Sequence, residues 1–386
     1  MNTLLTEEER LLRSTVHGFA VRELAPRAAA YDESEAFPWD NVRGLGEMGL
    51  MGLTLSEQYG GAGASYAQLA IAIEEIAWGC AATSVIHLVH VSLAGDSIAR
   101  FGSPELRSRL LPRMAIGELL GAFALTEPSS GSDAADMSTL AKRVEGGYLL
   151  NGVKTFITNG PEARMFVVFA ATDKAKAARG VSAFVVHRDN PGLATNAQRG
   201  KLGMRASTTA EVVLTDCFVP DADRIGDEGD GFKIAMSVLD ASRISVAAQA
   251  IGIGRAALDL ALRHVRQRRT FGKPIADHQA VQFMIADMAT RLDAARLLTR
   301  RAAQAKDAGL PYGRESAMAK VFASEAGSFA CDRALQLFGG YGYFRESQVE
   351  RLYRDVRVTE IYEGTSEVQR IVIARSILRE AGDPPA

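Results

Sequence analysis

Residues 232–269, FKIAMSVLDASRISVAAQAIGIGRAALDLALRHVRQRR, admit two opposed readings, and the choice between them decides the fold. Within them Gly252-x-Gly254-x-x-Ala257 matches the short dinucleotide fingerprint, with Asp277 about twenty residues further on. That fingerprint needs a buried strand before it and a βαβ unit around it. Here the flanks RISVAAQAI and ALDLALRHVR are rich in Ala and Leu at helical spacing. The segment therefore reads as helix, with a break expected before its middle, and its glycines read as points of close helix–helix approach.

The helical period continues downstream. HQAVQFMIADMATRLDAARLLTRRAAQAKDAG (278–309) reads as a second helix closed by Gly309 and Pro311. GRESAMAKVFASEAGSFACDRALQLFGG (313–340) reads as a third, ended by Gly339-Gly340, and TSEVQRIVIARSILREAG (365–382) closes the chain. Long helices with short connections make a bundle. Upstream the first third is also helical. Thr6-x-x-Glu9 is a capping box ahead of Leu11, Leu12, Val16 and Phe19, and Pro26 marks that helix's end. A second helix is expected over Asp40 to Met48. Ser65 opens a run through Leu69, Ile73 and Ile76 after the loop YGGAGASY (59–66), and Ser103-Pro104-Glu105 is another start signal.

Between these regions the period changes. In YLLNGVKTFI (148–157), Asn151-Gly152 between two β-type runs predicts a hairpin. MFVVFA (165–170), GVSAFVV (180–186) and AEVVLTDCFVP (210–220) predict further strands, with turns and no helices between them, hence an antiparallel sheet or a barrel. The expected plan is a multi-domain α+β protein: a helical domain over 1–118, a β domain over 119–228 and a helical bundle over 229–386.

Bulk properties agree with several domains. A chain of 386 residues exceeds one ordinary core, and 47% hydrophobic with 23% charged residues is a globular composition. A net charge of −2 gives no pull toward nucleic acid or anionic membrane. Cys80, Cys217 and Cys331 lie far apart without a CxxC pair, which points to a reducing compartment. The start, MNTLLTEEERLLRS, lacks a secretory pattern and is too acidic for a transit peptide, and no apolar run approaches the ~20 residues of a membrane helix. A cytoplasmic bacterial protein is the expectation, with a mature mitochondrial matrix form as the alternative.

Four features invite a functional reading. His87-x-x-His90 places two imidazoles on one helix face, but no nearby Asp, Glu or Cys completes a metal set. Arg263, Arg266, Arg268, Arg269 and Lys273 form either a solvated face or a diphosphate clamp. ALTEPSSGSD (124–133) is either a linker or a cradle of hydroxyls and backbone N–H groups. Glu363 precedes a helix expected to start at about Ser366, where Ser366-x-x-Gln369 reads as a capping box. An apolar pocket would raise its pKa, whereas the helix N-terminus would lower it. From these residues alone it is either a solvated loop charge or a base.

Taken in order, YGGAGASY, FALTEPSSGSD, GVKTFITNG, RRTFGKPIADHQAVQFMIADM, QLFGGYGYFRE and RLYRDVRVTEIYEGTSEVQR resemble the acyl-CoA dehydrogenase family, from about Leu4 to Leu378. The pattern is most similar to its short- and medium-chain or branched-chain members. The resemblance implies an N-terminal helical domain, a middle β-barrel and a C-terminal four-helix bundle. It implies FAD bound without a Rossmann unit, acyl-CoA as substrate, electron-transfer flavoprotein as acceptor and a homotetramer.

By the same match, Phe123, Leu125, Thr126, Gly131 and Ser132 would lie along the flavin, with Ser132 also touching substrate. Phe156, Ile157 and Thr158 would cover the isoalloxazine. Many members carry Trp where this chain has Phe156, which keeps the aromatic wall without the indole N–H. Arg268, Thr270, Phe271 and Gln279, with the loop Gln336, Leu337, Gly339 and Gly340, would reach a neighbouring subunit's FAD. Thr365, Ser366 and Glu367 would meet the diphosphate. Asp240, Arg243 and Gly364 would contact substrate, and residues near His87 to Leu93 and Tyr341 would bear on acyl length. Glu363 matches the catalytic base; some relatives carry theirs at the position of Ser242, which is not acidic here. The implied reaction is α,β-dehydrogenation to a trans-2-enoyl-CoA, Glu363 taking the α-proton and the flavin N5 the β-hydride. An oxygen-using acyl-CoA oxidase, or an enzyme acting on a carrier-protein thioester, shares these motifs.

Overall fold

The computed structural model describes residues 5–381. The N-terminal part is helical: α1 (Glu7–Phe19), α2 (Ala28–Ser34), α3 (Trp39–Glu47), α4 (Tyr66–Gly79), α5 (Ala81–Leu88), α6 (Asp96–Phe101) and α7 (Pro104–Ala115). Local chemistry sets the starts as the sequence predicts. Thr6 and Glu9 form the reciprocal capping box of α1, Ser65 and Gln68 that of α4, and Ser103 caps α7 by accepting from Leu106 N.

The middle part is one eight-stranded sheet, β1 (Gly121–Ala124), β2 (Leu140–Val144), β3 (Gly147–Thr158), β4 (Met165–Ala171), β5 (Val181–His187), β6 (Leu193–Gln198), β7 (Thr209–Pro220) and β8 (Arg224–Ile225). Its order is β6-β7-β3-β2-β4-β5-β8, with β1 beside β4. Two expectations are corrected. The described strands do not close into a barrel, and β1 and β2 run parallel to β4 rather than antiparallel. The path crosses from β2 to β4 through a single pair, Leu140 and Ala171, so its two halves fold over one another there. Between them Tyr148, Phe166, Phe184 and Val212 form an inner core, while Met165, Val167 and Phe169 of β4 face the larger core shared with the helices. Both faces of β4 are thus covered, which explains its uninterrupted apolar run.

The Asn151-Gly152 hairpin is also corrected. Residues 147–158 are one continuous strand, and the tight turn lies earlier, at Glu145-Gly146 between the paired Val144 and Gly147. Gly152 instead marks a bulge, where the register against β7 shifts between Leu150 and Gly152. A Cβ there would stand 2.4 Å from Thr139 Oγ1, so close packing rather than a chain reversal requires the glycine.

The C-terminal part comprises α8 (Gly231–Gln267), the short ribbon β9 (Arg269–Thr270) and β10 (Lys273–Pro274), α9 (Gln279–Asp307), α10 (Gly313–Phe338), α11 (Val349–Val356) and α12 (Ser366–Ala381). The break expected in the first helix is absent: α8 runs through all 37 residues. Its length and apolarity would suit a membrane span, yet 83% of the apolar window is buried inside the protein, where it packs against α4, α9 and α10. The Gly252 fingerprint is helical, and a Cβ on Gly252 would meet Glu74 O at 2.3 Å. The glycine lets α8 approach α4, and no Rossmann unit surrounds it.

Candidate active site

The domains meet at a cleft of about 280 Å³ that gathers side chains far apart in sequence. Phe123, Leu125 and Thr126 enter from the end of β1 and the residues just after it, Gly131 and Ser132 from the loop beyond, and Phe156, Ile157 and Thr158 from the end of β3. Arg243 comes from α8, and Glu363 and Gly364 from the turn before α12. A second register shift, between Lys154 and Ile157, together with φ 58° at Phe156, leaves that ring 70% exposed as a wall of the cleft. The cleft also holds residues that motif reading did not single out: Phe232, Met236 and Leu239 of α8, with Tyr362 and Val368. Their signal is only apolar or aromatic character, on a helix or, for Tyr362, in a turn, the same signal as core packing.

A buried ion pair joins the two flavin-matching segments. Lys154 Nζ meets Glu127 Oε1 at 2.8 Å and Leu125 O at 3.1 Å, with both side chains almost wholly buried. Glu127 also accepts from Ser138 N at 2.6 Å and Thr139 N at 3.0 Å. Burial brings the Lys154 ammonium down to about 8 despite its partner. Burial opposes the charge on Glu127 too, but Lys154 and the hydrogen bonds hold that carboxyl below its ordinary value. The pair pins the 125–127 turn against β3.

Glu363 occupies a left-handed turn, with φ 53°, followed by Gly364 at φ 93°. The residue is half-buried, but its Oε2 is buried and meets no hydrogen-bond partner. Burial raises its pKa from 4.5 to about 7; Ser242, Lys320 and Arg243 pull the other way and lose. The capping box expected at Ser366 is corrected as well. Thr365 Oγ1 accepts from Val368 N at 3.3 Å and caps α12, while Gln369 Nε2 turns back to Glu363 O (3.2 Å) and Gly364 O (2.9 Å). Ser366 Oγ is left buried without a partner.

This titration carries a stability consequence. A carboxyl whose folded pKa is raised contributes stability that is fully present below 4.5 and lost as pH rises through about 7. The rise corresponds to about 3 kcal/mol. Glu363→Gln is therefore expected to match the parent near pH 4 and exceed it in stability at pH 8 by up to about 3 kcal/mol. Asp355, raised by burial to about 6, titrates in the same range but is common to both proteins. Denaturant midpoints compared across that range test this, and parallel curves for the two proteins would contradict the buried carboxylate.

The other matched residues lie elsewhere. Asp240 pairs with Arg243 and lines an adjoining groove with Arg314, Arg375 and Arg379. Arg268, Thr270, Leu337, Gly339, Gly340 and Tyr341 line a separate groove that shares no residue with the cleft, the Arg268 guanidinium lying 5.5 Å from the centre of the Tyr341 ring. Tyr341 thus lies outside the cleft that holds Glu363. Val89 and Leu93 line the cleft, but His87 and His90 are buried beside it. His87 bonds Leu50 O and His90 bonds Met114 O, and burial lowers both imidazoles to about 4, the behaviour of packed, neutral rings. Phe271, Gln279, Gln336 and Glu367 are exposed.

Flat apolar walls, the short hydroxyls of Thr126, Ser132 and Thr158, and a buried unpartnered Ser366 hydroxyl at a helix start suit a flavin with its diphosphate. Comparison with known proteins places the chain in a class. Sequence profiles of the acyl-CoA dehydrogenase N-terminal, middle and C-terminal domains match residues 6–118, 122–217 and 229–378. The chain belongs to the acyl-CoA dehydrogenase family. It is 46% identical to the mitochondrial short-chain specific acyl-CoA dehydrogenase of Rattus norvegicus, over 97% of this chain and 91% of that protein. Butyryl-CoA dehydrogenase from Megasphaera elsdenii superposes with a TM-score of 0.95 at 39% identity, over 97% of this chain and 99% of the other. A chain from the structure described as the electron transferring flavoprotein of Acidaminococcus fermentans superposes at 0.96 with 42% identity, over 98% and 100%.

Proposed function

We infer that the protein is an FAD-dependent acyl-CoA dehydrogenase that delivers its electrons to electron-transfer flavoprotein, with Glu363 as the base and a short-chain acyl-CoA as substrate. The observation that carries the assignment of Glu363 is its carboxylate in the cleft, with one oxygen buried and unpartnered, opposite the walls formed by Phe123–Ser132 and Phe156–Thr158. FAD, when bound, supplies the two-electron acceptor for the β-hydrogen.

The chain's own residues supply the rest. Glu363, with a pKa near neutrality, is a stronger base when ionised than a solvated glutamate and takes the α-proton. A thioester α-proton is weakly acidic, so its removal requires donors at the thioester oxygen. The backbone N–H of Glu363 has no acceptor among the described residues and is available for this. Phe232, Met236, Leu239 and Tyr362 keep the acyl segment away from water, which sustains the raised pKa. Arg243, held by Asp240, faces the groove we assign to the CoA end.

Only part of a cofactor site lies in one cleft. The Arg268 groove is separate, and Phe271 beside it is 95% exposed, with Tyr343 and Phe344 also on the surface. We infer a homotetramer in which Arg268, Gln279 and the 336–340 loop of one copy complete the FAD site of another, and domain boundaries at 118/119 and 228/229. Sedimentation of the holoenzyme as a monomer would end that part of the reading. The three buried free cysteines suit a cytoplasmic location.

The function is tested by anaerobic titration of the holoenzyme with straight and branched acyl-CoAs. The expected result is bleaching of the flavin, fastest with short acyl chains, and reoxidation by electron-transfer flavoprotein. An absence of bleaching with every acyl-CoA would overturn the reading.

A further inference from the structure

The turn that bears Glu363 is held from several sides. Left-handed geometry is unfavourable for a residue with a side chain, so Glu363 needs a reason to stay at positive φ, whereas Gly364 after it does not. Three side chains converge on the carbonyls of the turn. Gln369 Nε2 reaches both, Arg243 Nε lies 3.5 Å from Glu363 O, and Lys320 Nζ donates to Gly364 O at 2.8 Å.

Lys320 is the unexpected member. It rises from the first half of α10, is completely buried, and forms no ion pair among the described residues. An ammonium without a paired carboxylate is costly in a helix core. Burial accordingly lowers it to about 8, with Glu363 the strongest charge acting in its favour. The other buried positions around it on α10 are small, Ser316, Ala317, Ala319, Ala323 and Ser324, where packing alone would call for another small side chain.

We propose that Lys320 is a positioning residue for the base: its bond to Gly364 O holds the left-handed turn, and its buried charge favours the ionised form of the Glu363 carboxyl. The proposal rests on Glu363 being the base. The groups acting on this carboxyl are Ser242 and Arg243 of α8 (with Asp240 against Arg243), Lys320 of α10 and the neighbouring Tyr362, while Glu360 and Glu367 act on Lys320. Lys320→Met removes both the bond and the charge. Gln369→Leu loosens the same carbonyls but leaves the charge, so the two variants separate the roles.

The experiment uses the holoenzyme and reads two quantities. One is the infrared titration of the protonated Glu363 carboxyl band, assigned by its loss in Glu363→Gln. The other is the rate of flavin reduction by a short acyl-CoA against pH. Lys320→Met is expected to keep its FAD, to hold the carboxyl band to higher pH by about one unit, and to reduce flavin roughly 10–100-fold more slowly with little change in KM. Lys320→Arg should restore the titration and part of the rate. Gln369→Leu should slow reduction with the titration in place. A Lys320→Met enzyme with the parent's titration and rate overturns the proposal. If that variant does not fold, a Lys320→Gln enzyme with the parent's titration, together with a Gln369→Leu enzyme with the parent's rate at every pH, overturns it. Glu363→Gln reducing flavin at the parent's rate would instead remove the base assignment itself, which distinguishes the two failures.

Discussion

Glu363→Gln holoenzyme should retain its yellow colour and its fold, yet reduce flavin with acyl-CoA at least ~10²–10⁴-fold more slowly than the parent, the range typical of a lost general base. The amide fills the same space and tolerates burial better than the carboxylate, so binding should persist. The loss should fall on the reduction step, with KM little changed, because the carboxylate acts on the proton in flight rather than on the bound ground state. Stopped-flow reduction under anaerobic conditions makes the measurement. Parent-like reduction would require another base, and the position used by some relatives holds Ser242, which cannot serve. The same substitution should raise stability at alkaline pH, so activity and stability move in opposite directions at one residue.

The second large effect is expected far from any proton transfer. Lys154→Met leaves Glu127 as a buried carboxylate that has lost its cation and keeps only its hydrogen bonds from Ser138 and Thr139. Breaking a buried pair from one side costs about 3–5 kcal/mol, more than the net worth of the intact pair, because a charge is left uncompensated. The Lys154 bond to Leu125 O disappears as well, so the segment along the flavin loosens. Lys154→Met is therefore expected to lower the unfolding midpoint sharply and to lose FAD on gel filtration. The double variant Lys154→Met/Glu127→Leu should recover much of the stability but not the cofactor retention. A single variant as stable as the parent, or a double variant no better than the single, would refute the argument.

Much of the fold is legible in the residues because local chemistry and pattern agree. The capping residues Thr6, Ser65 and Ser103 each bond the backbone that their spacing predicts. The Ala- and Leu-rich flanks of Gly252 exclude a dinucleotide-binding strand, and the segment is helix throughout. Failures occur where a local signal has two physical meanings. Asn151-Gly152 is a strong hairpin dipeptide, but a glycine also permits a bulge, and only Thr139 packed against it selects the bulge. Ser366-x-x-Gln369 is a valid capping pattern, but Thr365 takes the cap and Gln369 is drawn to the carbonyls of the strained turn. Alternating and continuous β patterns predict strands without saying whether a sheet closes. That β6 and β8 stay at opposite ends of the strand order, without pairing to each other, is a tertiary fact.

The sequence by itself determined the succession of helices, strands and helices, the absence of a Rossmann unit, and, through the ordered motifs, the family and the residues expected at its site. Those properties come from side-chain period, capping chemistry and residue identity, all carried along the chain. Tertiary structure alone decided the state of those residues. It brought segments around positions 125, 156, 243 and 363 into one cleft and put Arg268 in another. It placed Lys320 against the turn of Glu363, and Lys154 against Glu127, across distances no spacing rule reaches. A carboxyl's pKa depends on what surrounds it in three dimensions, and the opposing influences on Glu363 were resolved only when burial removed its water.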